Sequence, residues 1–265
     1  MTKKTKSDKF LKLVNQHKDI KKQPKFRGTL EEYLSLLEDD KDIPRLAHKR
    51  LYEAIVSHGK QKMSPSSERY NKLFNNEEIK TYDYFQSKFF GMERSLAKIM
   101  RFLRSASLKG EESRQVLLLL GPVGAGKSAL MEHIKRALED SDPMYHIDGC
   151  PIHEEPLHLI PRSLREEFEK IYGIKIEGDL CPVCRYRLKE ELDNDYTQMP
   201  ITESSFSVRG RRGVGVVPPM DANSQDVTIL VGSEDISKLD MYSEDDPRVL
   251  SLNGAFNVGN RGIVE

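Results

Sequence analysis

The apolar positions in the middle of the chain follow two periods, which predict two kinds of element. At residues 116–120 five apolar residues stand in a row, the pattern of a buried parallel strand. On either side of this run the apolar residues recur at helical spacing and predict two amphipathic helices. Their apolar faces are Leu96, Ile99, Met100 and Leu103 before the run, and Leu130, Ile134, Ala137 and Leu138 after it.

The first 85 residues are predicted to form a polar, helical N-terminal region. Thr29 and Glu32 have the spacing of a capping box, in which each side chain satisfies a backbone amide at a helix start. A second helix is predicted near residues 42–59, because Pro44 suits a first turn and Gly59 suits the position after the last. Its apolar face is expected to carry Leu46, Leu51 and Ile55.

Three further elements are predicted after residue 140. The stretch "PMYHIDG" predicts a strand, "PRSLREEFEKIYG" a short helix, and "SFSVRGRRGVGVVPP" two strands joined by a turn. Arg209, Arg211 and Arg212 lie at that turn. We interpret them as a solvated hairpin tip, with contact to a phosphate or a nucleic acid as the alternative.

The segment between the predicted strand and the second helix is "GPVGAGKS", residues 121–128. This is the P-loop (Walker A) pattern, whose glycines let backbone N–H groups surround phosphate oxygens. Lys127 is predicted to reach the terminal phosphates and Ser128 to bind Mg²⁺. The predicted nucleotide-binding residues are Gly121, Pro122, Val123, Gly124, Ala125, Gly126, Lys127, Ser128 and Ala129.

The composition of the chain gives no support to nucleic-acid binding or to a membrane-spanning protein. Of 265 residues, 37% are hydrophobic and 32% charged, and 42 Lys plus Arg balance 42 Asp plus Glu. A formal net charge of zero gives no electrostatic argument for nucleic acid. We expect a cytoplasmic chain without a membrane partner, since no apolar run approaches the roughly 18 residues of a membrane span and the basic start has no signal-peptide pattern.

All three cysteines lie in one span and predict a zinc site. Cys150 and His153 form "CPIH", and Cys181 and Cys184 form "CPVC". A gap of two residues lets both ligands of a pair converge on one ion. Four protein ligands leave no open position, so the zinc is expected to be structural.

Other interpretations of the cysteines stay open. Cys181 and Cys184 have the spacing of a thioredoxin-like redox pair, although they do not open a clear βαβ unit. They also fit buried thiols without chemistry. His146 and His158 lie close enough along the chain to compete with His153 as a ligand.

Several stretches together resemble the PrkA family of bacterial serine protein kinases. They are "TLEEYLSLLEDDKDIPRLAHKRLYEAI", "FFGMERSLAKIMRFLRSA", "LLLLGPVGAGKSALMEHIK", "CPIHEEPLHLIP", "LCPVCR" and the closing "NRGIVE". The resemblance implies an AAA+ ATPase core, ATP as cofactor, and annotation as a protein kinase, with some members treated as ATP-dependent protease-like proteins.

The expected fold class is therefore α/β, a P-loop NTPase with a parallel sheet flanked by helices. We divide the chain into residues 1–85, the helical region, and residues 86–265, an AAA+-like ATPase domain that is incomplete at its C-terminus. A zinc-ribbon-like insertion is expected at residues 150–185.

One departure from the family concerns the catalytic carboxylate. Family members are about twice as long, and their strand after "NRGIVE" continues with further acidic residues. Within this chain Glu265 is our candidate for a catalytic acid beside Lys127. Glu234 and Asp235 are the alternative, although "GSEDISKL" equally predicts a helix cap.

Two functions remain in view. The first is a Mg·ATP-binding module that transfers a phosphoryl group to a protein serine or to water, with a protein substrate and homo-oligomerisation through the AAA+ domain. The second is a nucleotide-dependent switch or protease-like module whose zinc-bound insertion docks a protein or a nucleic acid. The sequence contains no H-R-D or D-F-G motif of eukaryotic-type protein kinases.

Overall fold

A computed structural model of the chain describes residues 26–62, 79–218, 226–243 and 246–265, together with four single positions before residue 26. The part of the predicted N-terminal helical region that precedes residue 26 therefore lies largely outside the described residues. No helix in these ranges is long and apolar enough to cross a bilayer.

Nine α-helices lie in the described ranges. They are α1 (Leu30–Asp39), α2 (Ala47–Val56), α3 (Asp83–Gln86), α4 (Glu93–Ser107), α5 (Lys127–Glu139), α6 (Arg162–Tyr172), α7 (Pro182–Glu190), α8 (Thr228–Val231) and α9 (Ala255–Val258). Short 3₁₀ helices lie at Glu111–Arg114, Pro156–Leu159, Tyr196–Gln198, Ile236–Lys238 and Pro247–Val249.

The strands are short and mostly antiparallel. They are β1 (Arg27–Gly28), β2 (Lys60–Lys62), β3 (Lys80–Tyr82), β4 (Met144–Ile147), β5 (Ile201–Ser204), β6 (Val214–Gly215), β7 (Ser233–Glu234), β8 (Leu250–Ser251) and β9 (Ile263–Val264). The largest sheet among the described residues has the order β1-β5-β4 and is antiparallel throughout. The β2/β3 and β7/β8 pairs are also antiparallel, and β6/β9 is parallel.

The capping box predicted at the first helix start is confirmed, whereas the helix predicted near residues 42–59 covers only Ala47–Val56, so Pro44 lies before its first turn. The Thr29 hydroxyl accepts from the Glu32 amide while the Glu32 carboxylate accepts from the Thr29 amide, so α1 begins with the predicted capping box. Gly173 follows α6 in the left-handed region, with φ of +72°, and ends that helix.

The described residues pack into two hydrophobic cores. The first core joins α2, α3, α4 and α5, and it includes all eight apolar positions that were predicted for α4 and α5. Leu51 and Ile55 of α2 also lie in it, whereas Leu46 precedes that helix and is 53% exposed. The second core joins α1, the β1-β5-β4 sheet, the 3₁₀ helix Pro156–Leu159, α6 and the three cysteines.

The predicted buried strand at residues 116–120 is wrong. These residues form no regular secondary structure and pair with no strand, and four of the five side chains are exposed. Val116, Leu118 and Leu120 are 93%, 71% and 85% exposed, and only Leu119 packs against the first core. A run of apolar residues specifies a buried strand only where neighbouring strands cover it, and the described residues place none there.

The predicted parallel sheet and the zinc-ribbon-like insertion are corrected as well. The one parallel pair in the described ranges, β6/β9, is two residues long in each strand. Residues 150–185 contain the 3₁₀ helix Pro156–Leu159, α6 and the start of α7, and no strand. The stretch "SFSVRGRRGVGVV" does turn at its Gly/Arg segment, through the single antiparallel bridge of Ser207 with Arg212.

Candidate functional site

The glycine-rich loop leads directly into α5, so the structure contains the loop-to-helix part of the predicted strand-loop-helix motif. Gly124 and Gly126 have φ of +80° and +79°, values that residues with a Cβ rarely adopt. Gly126 is the N-cap of α5, and no side chain caps this helix start. The first-turn amides of α5 therefore lack a side-chain acceptor at the place where a phosphate would lie.

Lys127 lies across the loop that it follows. Its ammonium donates to the carbonyl oxygens of Gly121 and Pro122, at 2.8 Å each. Both carbonyl acceptors are neutral, whereas a phosphate oxygen carries negative charge, so a contact between the ammonium and a phosphate adds Coulomb attraction to the hydrogen bond. A phosphate in the loop would therefore exchange these two contacts for stronger ones.

The loop is open to solvent along its length. Val123 is fully exposed, and Ser128 and Ala129 are exposed at the start of α5. The structure thus brings together the predicted loop residues and leaves their backbone accessible to a nucleotide.

Glu265, the predicted catalytic acid, lies against α5 rather than at the loop. Its carboxylate accepts a hydrogen bond from the buried ammonium of Lys135 at 2.7 Å. Lys135 also pairs with Glu132. Lys135 follows Ser128 by seven residues, which is roughly 10 Å along a helix, so this carboxylate is two turns away from the position where Ser128 would hold a magnesium ion.

Of the alternative acids, Glu234 is exposed and Asp235 is half-buried. The Asp235 carboxylate accepts from the amide of Ser237 at 3.2 Å and from its hydroxyl at 2.6 Å. It therefore caps the 3₁₀ helix Ile236–Lys238, which confirms the helix-cap interpretation of this stretch.

The three cysteines meet in the second core. One sulfur each of Cys150, Cys181 and Cys184 and one carboxylate oxygen of Glu154 all lie within 4.8 Å of one another. The four residues, which we call the cysteine cluster, are between 0% and 6% exposed. The sequence thus correctly predicted that residues far apart in the chain converge at this point.

The fourth member of the cluster is Glu154, whereas the sequence pattern pointed to His153. The His153 ring lies against the His146 ring instead, with centroids 4.8 Å apart. His153 has φ of +49° in the turn that follows Cys150. The side chain that faces the sulfurs belongs to the next residue, Glu154. Burial lowers the pKa of His153 to about 4, so its ring is neutral at pH 7.

Hydrogen bonds hold each donor of the cluster in place. Cys181 is the N-cap residue of α7, and its sulfur accepts a hydrogen bond from the Cys184 amide at 3.3 Å. Oε1 of Glu154 accepts from the Cys181 amide at 2.7 Å and lies 3.3 Å from Nδ1 of His158. His158 is fixed in turn by its Nε2, which lies 2.9 Å from the carbonyl oxygen of Glu177.

The sulfurs share protons unevenly in the absence of a cation. Hydrogen bonds from the thiols of Cys181 and Cys184 to the Cys150 sulfur lower the pKa of Cys150 to about 4. Those same contacts raise the pKa values of the Cys181 and Cys184 thiols. Burial raises the pKa of Glu154. The arrangement places three sulfurs and one carboxyl group around one point.

The chain is similar to longer bacterial proteins. It is 34% identical to "ATP-dependent protease PrkA" of Bacillus subtilis (strain 168) over 263 residues, which is 97% of this chain and 40% of that protein. It is 32% identical to "Serine/threonine kinase YeaG" of Escherichia coli (strain K12) over 246 residues, 89% of this chain and 37% of that protein. The chain thus spans about 40% of the length of these relatives.

Solved structures gave no significant match to the chain. The family profile described as "PrkA AAA domain" matches residues 28–265, which begin just before α1 and include the glycine loop and the cysteine cluster. With this match over most of the chain, the protein belongs to the PrkA AAA domain family.

Proposed function

We propose that this chain is an ATP-binding AAA-type module that serves phosphoryl transfer from Mg·ATP. The observation that carries this proposal is the glycine loop, which has left-handed backbone at Gly124 and Gly126 and opens onto the uncapped start of α5. Membership of the PrkA AAA domain family supports it.

Each residue of the loop has a distinct role in this proposal. The backbone N–H groups of residues 121 and 123–126 and of the first turn of α5 bind the phosphate oxygens. The ammonium of Lys127 leaves the Gly121 and Pro122 carbonyls and binds the terminal phosphates. The Ser128 hydroxyl contributes one magnesium ligand, and the bound ion neutralises charge on the phosphates.

We further propose that the phosphoryl acceptor is a protein serine or water. The names of the relatives indicate two different activities, one an ATP-dependent protease and the other a serine/threonine kinase. Since the chain contains no H-R-D or D-F-G motif, the serine acceptor is supported by the kinase-named relatives alone. Glu265 stays our candidate acid in this proposal, and reaching the loop would require it to leave Lys135.

A second candidate is a nucleotide-dependent switch or protease-like module that docks a protein or a nucleic acid through the region around residues 150–185. The exposed loop fits binding without turnover equally well. In either case we propose a protein partner and assembly with further copies through the AAA-type domain. The balanced charge of the chain disfavours nucleic acid among these partners.

Lys127→Ala tests nucleotide binding. We expect at least a tenfold loss of ATP affinity, about 1.4 kcal/mol, measured by titration calorimetry. Lys170→Ala on α6 removes an exposed lysine near the other core and is the matched control. Unchanged affinity in Lys127→Ala would remove this lysine from the site and with it the basis of the proposal.

Turnover separates the two candidates. Phosphate release that requires Lys127 supports transfer, whereas tight binding without release supports the switch. We expect slow release, because transfer needs an acid positioned for Mg²⁺ or for the attacking group, and the candidate Glu265 is held by Lys135, two helical turns from Ser128.

A further inference from the structure

The cysteine cluster lies in the second core and takes no part in the proposed nucleotide chemistry. We propose that Cys150, Glu154, Cys181 and Cys184 bind one zinc ion in a closed tetrahedral site, with His158 as an outer residue that orients Glu154. The inference is independent of the glycine loop and does not rest on the proposed function.

The spacing of the donor atoms fits a single ion. With zinc–sulfur bonds near 2.3 Å and zinc–oxygen bonds near 2.0 Å, a tetrahedral site separates its sulfurs by about 3.8 Å and sulfur from oxygen by about 3.5 Å. All four donors already lie within 4.8 Å of one another, and the Cys150 sulfur lies 3.8 Å from Oε2 of Glu154. Closing on an ion requires shifts of about 1 Å or less.

A disulfide fits the same arrangement less well. Two sulfurs would have to approach to about 2.05 Å, and the bridge would involve only two of the four donors that converge here. A multi-iron cluster is also disfavoured, because its ligands bind different irons and lie further apart than the ligands of one ion.

The kind of donor selects the metal. Three thiolates are soft ligands that suit zinc, and zinc also accepts a carboxylate oxygen, whereas magnesium and calcium require mostly oxygen. All four residues are at most 6% exposed, and four protein ligands fill a tetrahedral site. The metal is therefore structural, without an open position for catalysis.

The backbone holds the donors ready for an ion. Cys181 occupies the N-cap of the nine-residue helix α7, with Pro182 in its first turn, and its sulfur accepts from the Cys184 amide. Such hydrogen bonds and the helix N-terminus stabilise a thiolate. This second, independent feature places two sulfurs of the "CPVC" stretch on the same side of the turn.

Glu154 is oriented by an outer layer of contacts. Oε1 is held by the Cys181 amide and by His158, which leaves Oε2 directed at the Cys150 sulfur. Residues that fix a metal ligand from outside in this way typically change metal affinity by roughly 10- to 100-fold when they are lost. His158 is thus a positioning residue, and His153 lies outside the site.

Metal content of the whole chain is the first test. We expect one zinc per chain by elemental analysis of protein that was purified without chelator, and three thiols that react only after the metal is removed. Zinc-free protein that takes up no added zinc while all three thiols react at once would overturn the proposal. A mass lower by two hydrogens, which reveals a disulfide, would overturn it too.

A matched pair of neighbouring variants tests the fourth ligand. Glu154→Gln keeps the shape of the side chain, and His153→Asn keeps a residue that tolerates positive φ. In competition with a chromophoric chelator, we expect Glu154→Gln to weaken zinc binding by at least about tenfold and His158→Gln by roughly 10- to 100-fold. His153→Asn should keep the wild-type affinity.

The opposite result would overturn the assignment. Loss of zinc in His153→Asn together with wild-type affinity in Glu154→Gln would show that the histidine is the ligand. Cobalt binding to each variant gives a readout that does not depend on stability, because its charge-transfer absorption reports thiolate ligands directly. Cys184→Ser should lower that absorption, and an unchanged spectrum would exclude Cys184.

Discussion

The glycine loop is a contiguous, mostly exposed stretch of the chain. The cysteine cluster is buried and brings together residues as far apart in the sequence as Cys150 and Cys184. The loop takes its geometry from its own backbone, through glycines in the left-handed region and a helix that starts at Lys127. The cluster depends on β4, the turn after it and α7 being packed together.

The two regions differ in how a substitution affects ligand affinity and the stability of the fold. A loop that has few buried contacts can change its ligand affinity without changing the stability of the fold. The cluster is part of a core, so a change in its bonding affects the packing of α1, the β1-β5-β4 sheet and α6. Stability and nucleotide affinity should therefore respond to different substitutions.

Removal of the metal should have the largest effect. Structural zinc sites contribute folding free energy directly, so chelation is expected to lower the stability of the second core by several kcal/mol. Hydrogen exchange followed by mass spectrometry should show faster exchange in α7 and β5 and little change in α4 and α5. Equal exchange with and without metal, once zinc loss is verified, would contradict this division into two regions.

Gly126→Ala should have the next largest effect, and it acts on the loop alone. Alanine at φ of +79° is strained, at a cost of about 1–2 kcal/mol. We expect ATP affinity to fall about tenfold in titration calorimetry. Gly121→Ala is the control, because a Cβ there meets Ala125 and Lys127 only at 3.5 and 3.9 Å and needs no positive φ. Equal losses in both variants would show that side-chain volume, not backbone strain, limits the loop.

Features determined by a few consecutive residues were predictable from the sequence. The capping box of α1, the apolar faces of α4 and α5, the strand β4 and the helix α6 are all confirmed. Each depends on local hydrogen bonds or on side-chain periodicity, which the sequence displays directly.

Features determined by distant partners were not predictable in the same way. Apolar composition could not show whether other strands cover residues 116–120, and in this structure they are exposed. The spacing of Cys150 and His153 suggested a ligand pair, but a positive φ at residue 153 turns that side chain away and brings Glu154 to the sulfurs. Glu154 directly follows the C-x₂-H pattern in the sequence. This neighbouring acid was the signal that could have suggested Glu154 as a ligand.

Glu265→Gln should have a moderate effect that distinguishes a structural from a catalytic role. Burial opposes the charge on Lys135, but hydrogen bonds to Glu132 and Glu265 outweigh it and raise its pKa above 10.5. We expect the variant to lose about 1 kcal/mol at pH 7 in chemical denaturation.

The pH dependence of this loss follows from the sign of the shift. A raised lysine pKa contributes stability that is fully present below pH 10.5 and is lost as the pH rises through the folded-state value. The difference between the wild type and Glu265→Gln should therefore shrink above that pH. If the variant keeps full stability but loses phosphate release, Glu265 acts on the nucleotide instead.

The smallest effect is expected at the exposed run that precedes the loop. Leu118 is 71% exposed, so Leu118→Ser removes little buried apolar area and should change the free energy of unfolding by less than about 0.5 kcal/mol. Leu138→Ala is the control within the first core, where a fully buried leucine should cost about 2–5 kcal/mol. Chemical denaturation of both variants under the same conditions measures the difference between the two free energies of unfolding.

A cost at Leu118 that approaches the cost at Leu138 would mean that residues 116–120 are covered in solution, as the apolar pattern alone predicts. The exposed arrangement of this segment would then be wrong. A small cost together with unchanged ATP affinity would show that the glycine loop keeps its geometry without a buried strand in front of it.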